Sequence, residues 1–200
     1  MQTTDTVEFW RGSFGDEYTH RNNDLNLGAR LGLWKLILPK GCESILEVGA
    51  NVGANLDALS QITAAEMYAV EPNDTARSIL ASKQLMPDRN ITGDTADKIG
   101  FPDKVADLVF TSGVLIHVPP DKIEASMREI YRLSRRWIIC GEYFAPSEEM
   151  VPYRGHDGAM WRRDYGGMFL DMFPLKCKTN LFAWKRMTGL DNLTFWVFEK

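Results

Sequence analysis

Four segments of the chain carry residues whose types and spacing could do chemistry, and they follow one another in order. The first is Glu47-Val48-Gly49-Ala50-Asn51-Val52-Gly53, with Asn55 just beyond it. Glycine at 49 lets a ligand approach the backbone, and glycine at 53 lets a helix start tight against a sheet. A loop built for a pyrophosphate reads G-x-G-x-x-G, because that group needs several open amides. Here Asn51 stands in place of the middle glycine, and an acid sits two positions before the first one. The second segment is Val70-Glu71-Pro72-Asn73. A carboxylate at a strand end can accept bonds from both hydroxyls of a ribose. It can also be a plain solvated acid. The third, Gly93-Asp94-Thr95-Ala96, reads on its own as a turn closed by an Asx bond. The fourth runs from Asp107 through Ser112 and Gly113 to His117. A histidine there titrates near neutral pH, as a general base should. The plainer alternative is a histidine that shapes a pocket or caps the next helix.

The elements needed to position these residues can be read from the pattern. A helix is expected from about Asp24 to Leu38, with Leu27, Leu31, Trp34 and Leu38 near helical spacing, Asp24 as its cap and Pro39-Lys-Gly41 as its stop. An alternation follows. Strands are expected at Ser44–Val48, Met67–Val70, Asn90–Thr92, Ala106–Thr111 and Arg136–Glu142. Helices are expected at Asn55–Ile62, at Asp74–Lys83 with Asn73 or Asp74 as cap, and from Pro119-Pro120-Asp121 to Leu133. Strands separated by helices argue for a parallel sheet with helices on both faces. The end of the chain breaks the rhythm. Thr179–Lys185 and Leu193–Glu199 read as two strands joined at Thr188–Asn192, and a short connection means an antiparallel hairpin.

Composition narrows the classes. The 200 residues suit one α/β domain. The formal net charge of −4 offers no clustered lysine and arginine for a phosphate backbone, so no nucleic-acid partner is expected. Cys42, Cys140 and Cys177 are far apart and form no CxxC pair, which reads as reduced thiols of a cytoplasmic protein. The first residues lack the apolar run of a secretion signal, and no stretch approaches the length of a membrane helix. No cluster of histidines and carboxylates has metal-ligand spacing, so no metal is expected.

The E-x-G-x-x-x-G form of the first loop is similar to the binding motif for S-adenosylmethionine (SAM) in the Rossmann-like methyltransferases. With Glu71, Asp94 and His117 in order behind it, the segment from about Ser44 to Glu142 resembles a class I SAM-dependent methyltransferase. That resemblance implies a seven-stranded, mostly parallel sheet ending in the hairpin. It implies SAM as cofactor and S-adenosylhomocysteine (SAH) as product. Glu47, Gly49, Asn51, Gly53 and Asn55 would cradle the amino acid and nucleoside, and Glu71, Pro72 and Asn73 would hold the ribose. Asp94, Thr95 and Ala96 would meet the adenine, with Ser112 and Gly113 beside the methionine moiety. His117 would face the acceptor.

A narrower resemblance covers both ends. Phe9-Trp10-Arg11-Gly12-Ser13-Phe14-Gly15-Asp16-Glu17-Tyr18-Thr19-His20-Arg21-Asn22 is similar to the N-terminal signature of methyltransferases associated with pseudaminic acid biosynthesis, and Tyr153-Arg154-Gly155-His156-Asp157 is similar to a later stretch of that family. It implies a sugar or surface-glycan context. Residues 1–40 then make sense as a helical lid over the sheet edge. Arg21 is a candidate to pair with the cofactor carboxylate through its planar fork, and Trp10 and Tyr18 would wall the methionine and acceptor side. The alternative is a surface helix whose aromatics pack on the core. Residues 143–170 form an expected acceptor-side insertion. Tyr143, Tyr153, Arg154, His156, Trp161 and Arg163 crowd there, which fits a pocket with room for an anion. The alternative is a solvated face with ordinary pairs such as Arg163 with Asp164.

The whole reads as a single domain that transfers a methyl group to an O or N of a small polar, sugar-derived or anionic acceptor. His117 is the first candidate base, with Tyr18 and Tyr143 behind it. The competing functions are an NAD-linked oxidoreductase on a related fold, a SAM-binding protein without catalysis, and a nucleic-acid methyltransferase. A monomer or homodimer is expected.

Overall fold

The protein is described by a computed structural model, which describes residues 5–21 and 26–200. In chain order the elements are α1 (Thr6–Arg11), α2 (Ser13–Arg21), α3 (Leu27–Ile37), β1 (Ser44–Val48), α4 (Ala54–Ser60), β2 (Glu66–Val70), α5 (Asp74–Ser82), β3 (Ile91–Thr92), β4 (Ala106–Ser112), α6 (Ile123–Leu133), β5 (Ser134–Glu142), β6 (Glu149–Met150), β7 (Trp161–Arg162), α7 (Tyr165–Met172), β8 (Lys176–Ala183), α8 (Lys185–Thr188) and β9 (Leu193–Glu199).

Seven strands form one sheet in the order β3-β2-β1-β4-β5-β9-β8. The pairs from β3 to β5 are parallel, and β9 runs antiparallel to both β5 and β8. The seven-stranded Rossmann-like sheet expected of a methyltransferase is therefore present, with its C-terminal antiparallel hairpin. The chain builds outward from β1 through β2 to β3, then returns to lay β4 and β5 on the other side. That reversal creates a crevice at the carboxyl ends of β1 and β4, where open α/β sheets bind ligands.

Strand alternation sends side chains to two apolar layers. Ile45, Phe110 and Ile139 face one way, against Leu33 and Trp34 of α3, Leu56 and Leu59 of α4 and Leu80 of α5. Leu46, Val109, Ile138 and Cys140 face the other way, against Met127 and Ile130 of α6 and Tyr165 and Phe169 of α7. Each fully buried aliphatic side chain of this kind contributes about 1.5–3 kcal/mol. The helices thus cover both faces, as the alternating pattern requires.

The structure adjusts several boundaries. The first strand is as expected, and Asn73 is the cap of α5, accepting from the Ala76 amide at 2.8 Å. The expected helix from Asp24 begins at Leu27, and the expected cap at Asp24, like Asn22 of the N-terminal signature, lies outside the described residues. Pro119 does not open α6. Its carbonyl instead accepts from the amides of Lys122 and Ile123, closing a turn before the helix begins. The hairpin strand β8 starts earlier than expected, at Lys176, and ends at Ala183, because residues 185–188 coil into α8.

Candidate active site

The loop after β1 is held by its own backbone. The amides of Gly49 and Ala50 both donate to the Val70 carbonyl, at 2.8 and 3.0 Å, so the loop is tied to the end of β2. Asn51 has φ +47°. Asparagine tolerates that left-handed region better than most residues, so it replaces a glycine without unwinding the loop. Gly53 also has positive φ, and a Cβ there would lie 2.3 Å from Cδ1 of Leu80 on α5. The glycine therefore lets α4 seat against its neighbour.

Glu71 joins this loop to the next. Its Oε2 accepts from the Asn51 amide at 2.7 Å, and its Oε1 accepts from the Asn73 amide at 2.8 Å. Burial pushes its carboxyl up, while those two amides pull the other way. A carboxylate offers about four lone-pair directions, so capacity for ribose hydroxyls remains. Asp94 accepts from the Thr92 hydroxyl at 2.7 Å and the Gly100 amide at 2.8 Å. It closes a turn and lines the cavity at the same time.

At the other end of the cavity lies a chain of polar groups. Glu47 is 2% exposed, and its Oε1 accepts from Asn55 Nδ2 at 2.6 Å. Asn55 Oδ1 in turn accepts from Arg30 Nη1 at 2.7 Å and from the Trp34 indole at 3.3 Å. Glu47 Oε2 is buried and has no hydrogen-bond partner among the described residues. Burial pushes the Glu47 carboxyl up to about 8, against the Asn55 bond and the Arg30 charge. Arg30 lines the cavity and was not among the expected site residues. The signal was present in the sequence: Arg30 and Trp34 are one helical turn apart on α3, and both reach Asn55.

His117 ends a short 3₁₀ turn, Leu115–His117, that follows β4. Its Nδ1 lies 2.7 Å from the Ala159 carbonyl. A carbonyl only accepts, so this nitrogen carries the proton and Nε2 keeps a lone pair. Burial pushes the ring down to about 4, with the Ala159 bond opposing, so the imidazole is neutral at physiological pH. The N-terminal helices, expected as a lid, and the insertion pack against it. Trp10 and Tyr153 approach the imidazole at ring-centroid distances of 4.4 and 4.9 Å, and Tyr18 packs edge-on to Trp10 at 5.2 Å. Trp10 Nε1 is buried without a partner among the described residues.

The N-terminal helices are fastened to the start of α5 by Asn73, in addition to their ring contacts and the bond from Arg11 Nη2 to the Gly93 carbonyl at 3.3 Å. Asn73 Nδ2 donates to the carbonyls of Trp10 and Arg11 and to Oδ1 of Asp16, at 3.1, 3.3 and 3.0 Å. Gly15 makes the approach possible, since a Cβ there would lie 1.9 Å from the Trp10 carbonyl oxygen and 2.8 Å from Asn73 Nδ2.

A cavity of about 220 Å³ brings together Trp10, Tyr18, Glu47, Gly49, Asn51 and Asn55 with Glu71, Pro72 and Asn73. Asp94, Thr95, Ala96, Ser112, Gly113 and His117 line it as well. Other expected residues are elsewhere. Gly53 stands behind the loop, against Leu80. Arg21 is not at the cavity: α2 turns it outward, where it pairs with Glu17 at 3.2 Å and covers the Phe14 ring. Arg163 does not face an acceptor and does not pair with Asp164. It is 2% exposed, bound to Glu148 at 2.6 Å, the Val118 carbonyl at 3.0 Å and the Tyr165 hydroxyl at 3.2 Å, and it braces the insertion. Trp161 is buried beneath its guanidinium. His156 and Arg154 are exposed on the turn closed by Tyr153 and His156, where His156 leans on Phe9 and Phe14 of the lid and Arg154 covers Tyr153. Tyr143 lines a separate cleft with Arg162, Lys185 and Asp191.

Residues 46–136 match a protein family described as a methyltransferase domain. A search of curated proteins finds no match. Among solved structures, the magnesium protoporphyrin IX methyltransferase of Synechocystis PCC 6803, with bound SAM, superposes with a TM-score of 0.71 at 13% identity, over 100% of this chain and 99% of that one. The phosphoethanolamine N-methyltransferase 1 of Haemonchus contortus gives 0.72 at 13% identity, over 100% of this chain and 50% of that one. The 1,6-didemethyltoxoflavin-N1-methyltransferase of Burkholderia thailandensis gives 0.70 at 14% identity, over 98% and 86%. The sequence match covers residues 46–136, and the structures share the fold of the whole chain.

Proposed function

We propose that this protein is a SAM-dependent methyltransferase that binds SAM across the crevice between Glu47 and Asp94 and methylates an O or N of a small acceptor held under the lid. The observation that carries this is the methionine end of the cavity. A buried carboxylate oxygen, Glu47 Oε2, stands without a partner, and the Arg30 guanidinium lines the same cavity. An unpaired buried acceptor beside a cation fits the ammonium and carboxylate of an α-amino acid. A dinucleotide offers no such zwitterion, so the oxidoreductase alternative leaves Glu47 unexplained. Glu71 and Asp94 stand where ribose and adenine would complete the ligand.

When bound, SAM supplies a methyl group already activated on a sulfonium. The chain's own part is then proximity and alignment. The amides of the 49–53 loop and Glu71 fix the nucleoside, while the lid excludes water. His117 Nε2, unprotonated and on the acceptor side, is placed to take a proton from an oxygen acceptor. The N-terminal and Tyr153–His156 segments support a sugar-derived acceptor. No described helix is long and apolar enough to cross a membrane, and among the described residues no cluster of His, Cys, Asp and Glu forms a metal site. The test is calorimetry with SAH and with NADH. Saturable binding of SAH alone is expected; binding of NADH without SAH would overturn the reading.

A further inference from the structure

We propose that Glu142 is a positioning residue, holding the backbone of the Leu115–His117 turn so that the His117 ring faces the acceptor end of the cavity. The proposal rests on the reading that His117 borders the acceptor.

Glu142 is the last residue of β5 and is 0% exposed. One carboxylate oxygen accepts from the Val114 amide at 3.2 Å, and the other accepts from the Ile116 amide at 3.3 Å. Two nearby amides converging on one carboxylate make an anion nest, here filled from within the protein. Among the described residues no lysine or arginine forms an ion pair with Glu142. A buried acid without a cation is costly unless its bonds do something that a neutral side chain would not.

Its bonds fix the backbone of a turn whose Leu115 and Ile116 side chains are buried in the core. The turn has no side-chain cap of its own. It leaves β4 through Gly113, whose amide donates to the Gly141 carbonyl at 2.7 Å and whose φ is +71°. Inside the turn, the His117 amide donates to the Val114 carbonyl at 2.9 Å. So Glu142 holds the start of the turn, and the Ala159 carbonyl holds the ring at its end. Between those two points the imidazole keeps one tautomer. A glutamine at 142 would present N–H to N–H at one of the two amides, and an alanine would leave both unsatisfied.

Burial pushes the Glu142 carboxyl up to about 7, and the Thr111 side chain and the amides of residues 114–116 pull it back down. The titratable groups that feel its charge are Cys140 on β5 and Tyr165 on α7, and burial pushes both upward. In that neighbourhood Glu142 is the group that titrates near neutrality, because His117 is pushed down to about 4.

The experiment is NMR of protein with ¹⁵N-labelled histidine rings, native and Glu142→Gln, together with SAH titration of both. The native protein is expected to show one neutral His117 tautomer, protonated at Nδ1. Glu142→Gln is expected to show averaged ring signals and a His117 midpoint raised by a pH unit or more, with SAH affinity within about threefold of native. Unchanged His117 signals in the folded variant would overturn the proposal. Should the variant fail to fold, the native protein gives the answer. With ¹³C-labelled carboxyls separating Glu142 from Glu47, the Val114 and Ile116 amide protons should move with the Glu142 midpoint, and amides indifferent to it would overturn the proposal. Failure of native protein to bind SAH would count against the methyltransferase reading, and would leave the coupling of Glu142 to His117 to be judged from the ring signals.

Discussion

The two halves of the cleft, one proposed for the cofactor and the other for the acceptor, are built differently. The cofactor half is made of short loops that each follow directly from a parallel strand: residues 49–53 after β1, 71–73 after β2 and 93–96 after β3. Backbone amides do most of the holding, and one carboxylate, Glu71, ties two of those loops together. The acceptor half is assembled from remote pieces. Trp10 and Tyr18 come from the lid, His117 from the turn after β4 and Tyr153 from the insertion, and they meet as packed rings. Charge is spent differently too. Carboxylates and the Arg30 guanidinium line the cofactor half, whereas the Trp10 and Tyr18 rings and one neutral imidazole line the acceptor half. The first half is thus specified by local backbone geometry and the second by tertiary packing.

This contrast can be broken at either end. The largest effect is expected from Glu47→Ala, which removes the unpartnered Oε2 and strands the Asn55 amide. SAH affinity should fall roughly 100-fold, in line with losing one member of a buried charged pair, while calorimetry should find the variant still folded. A change below threefold would mean that Glu47 belongs to the core and not to the ligand.

The next effect is on pH dependence. An ammonium ligand favours the ionised form of Glu47, so binding must expel a proton from a carboxyl at about 8. SAH affinity should rise roughly tenfold per pH unit between pH 6 and 7, in the limit where each unit is 1.36 kcal/mol. Calorimetry in buffers of different ionisation enthalpy would show the released proton. In the empty protein the sign is opposite. The folded chain holds this proton between its ordinary value of 4.5 and about 8, so the stability from Glu47 is full below 4.5 and is lost as pH rises through 8. An affinity flat from pH 6 to 8 would remove Glu47 from the cofactor half.

The smallest effect on the cofactor should come from the lid. Gly15→Val cannot seat against the Trp10 carbonyl, so α1 and α2 should lift from α5. Trypsin should then cut after Arg11 at least tenfold faster than in the native protein, whereas SAH affinity should change less than about threefold. A large loss of SAH binding would show that the two halves are not separable in the way the geometry suggests.

The same contrast explains what could be read in advance. The strands of the sheet, the helices between them and the hairpin follow from hydrophobic runs and helical periods that depend only on neighbours in sequence. The loops of the cofactor half were legible for that reason, down to Asn73 as a cap. Arg21 was misplaced because composition names a cation but not the direction a helix points it. A cation that does line the cavity is Arg30, from a helix read only for its apolar stripe. The arginines of the insertion looked like an anion pocket. Glu148 and Glu149 absorb Arg163 and Arg162, and those partners are 15 and 13 residues away in sequence. Glu142 carried no signal at all, because its partners are backbone amides, which every residue has.

The fastening at Gly15 and Asn73 has a consequence for anyone who wishes to redirect the enzyme. The lid is docked through the Trp10 and Arg11 carbonyls, the Asp16 carboxylate and the close approach at Gly15 as well as through its ring contacts, so part of its attachment does not depend on which aromatics it carries. A combinatorial library at Trp10 and Tyr18, with Gly15, Asp16 and Asn73 kept constant, would vary the wall of the cavity while leaving that anchor in place.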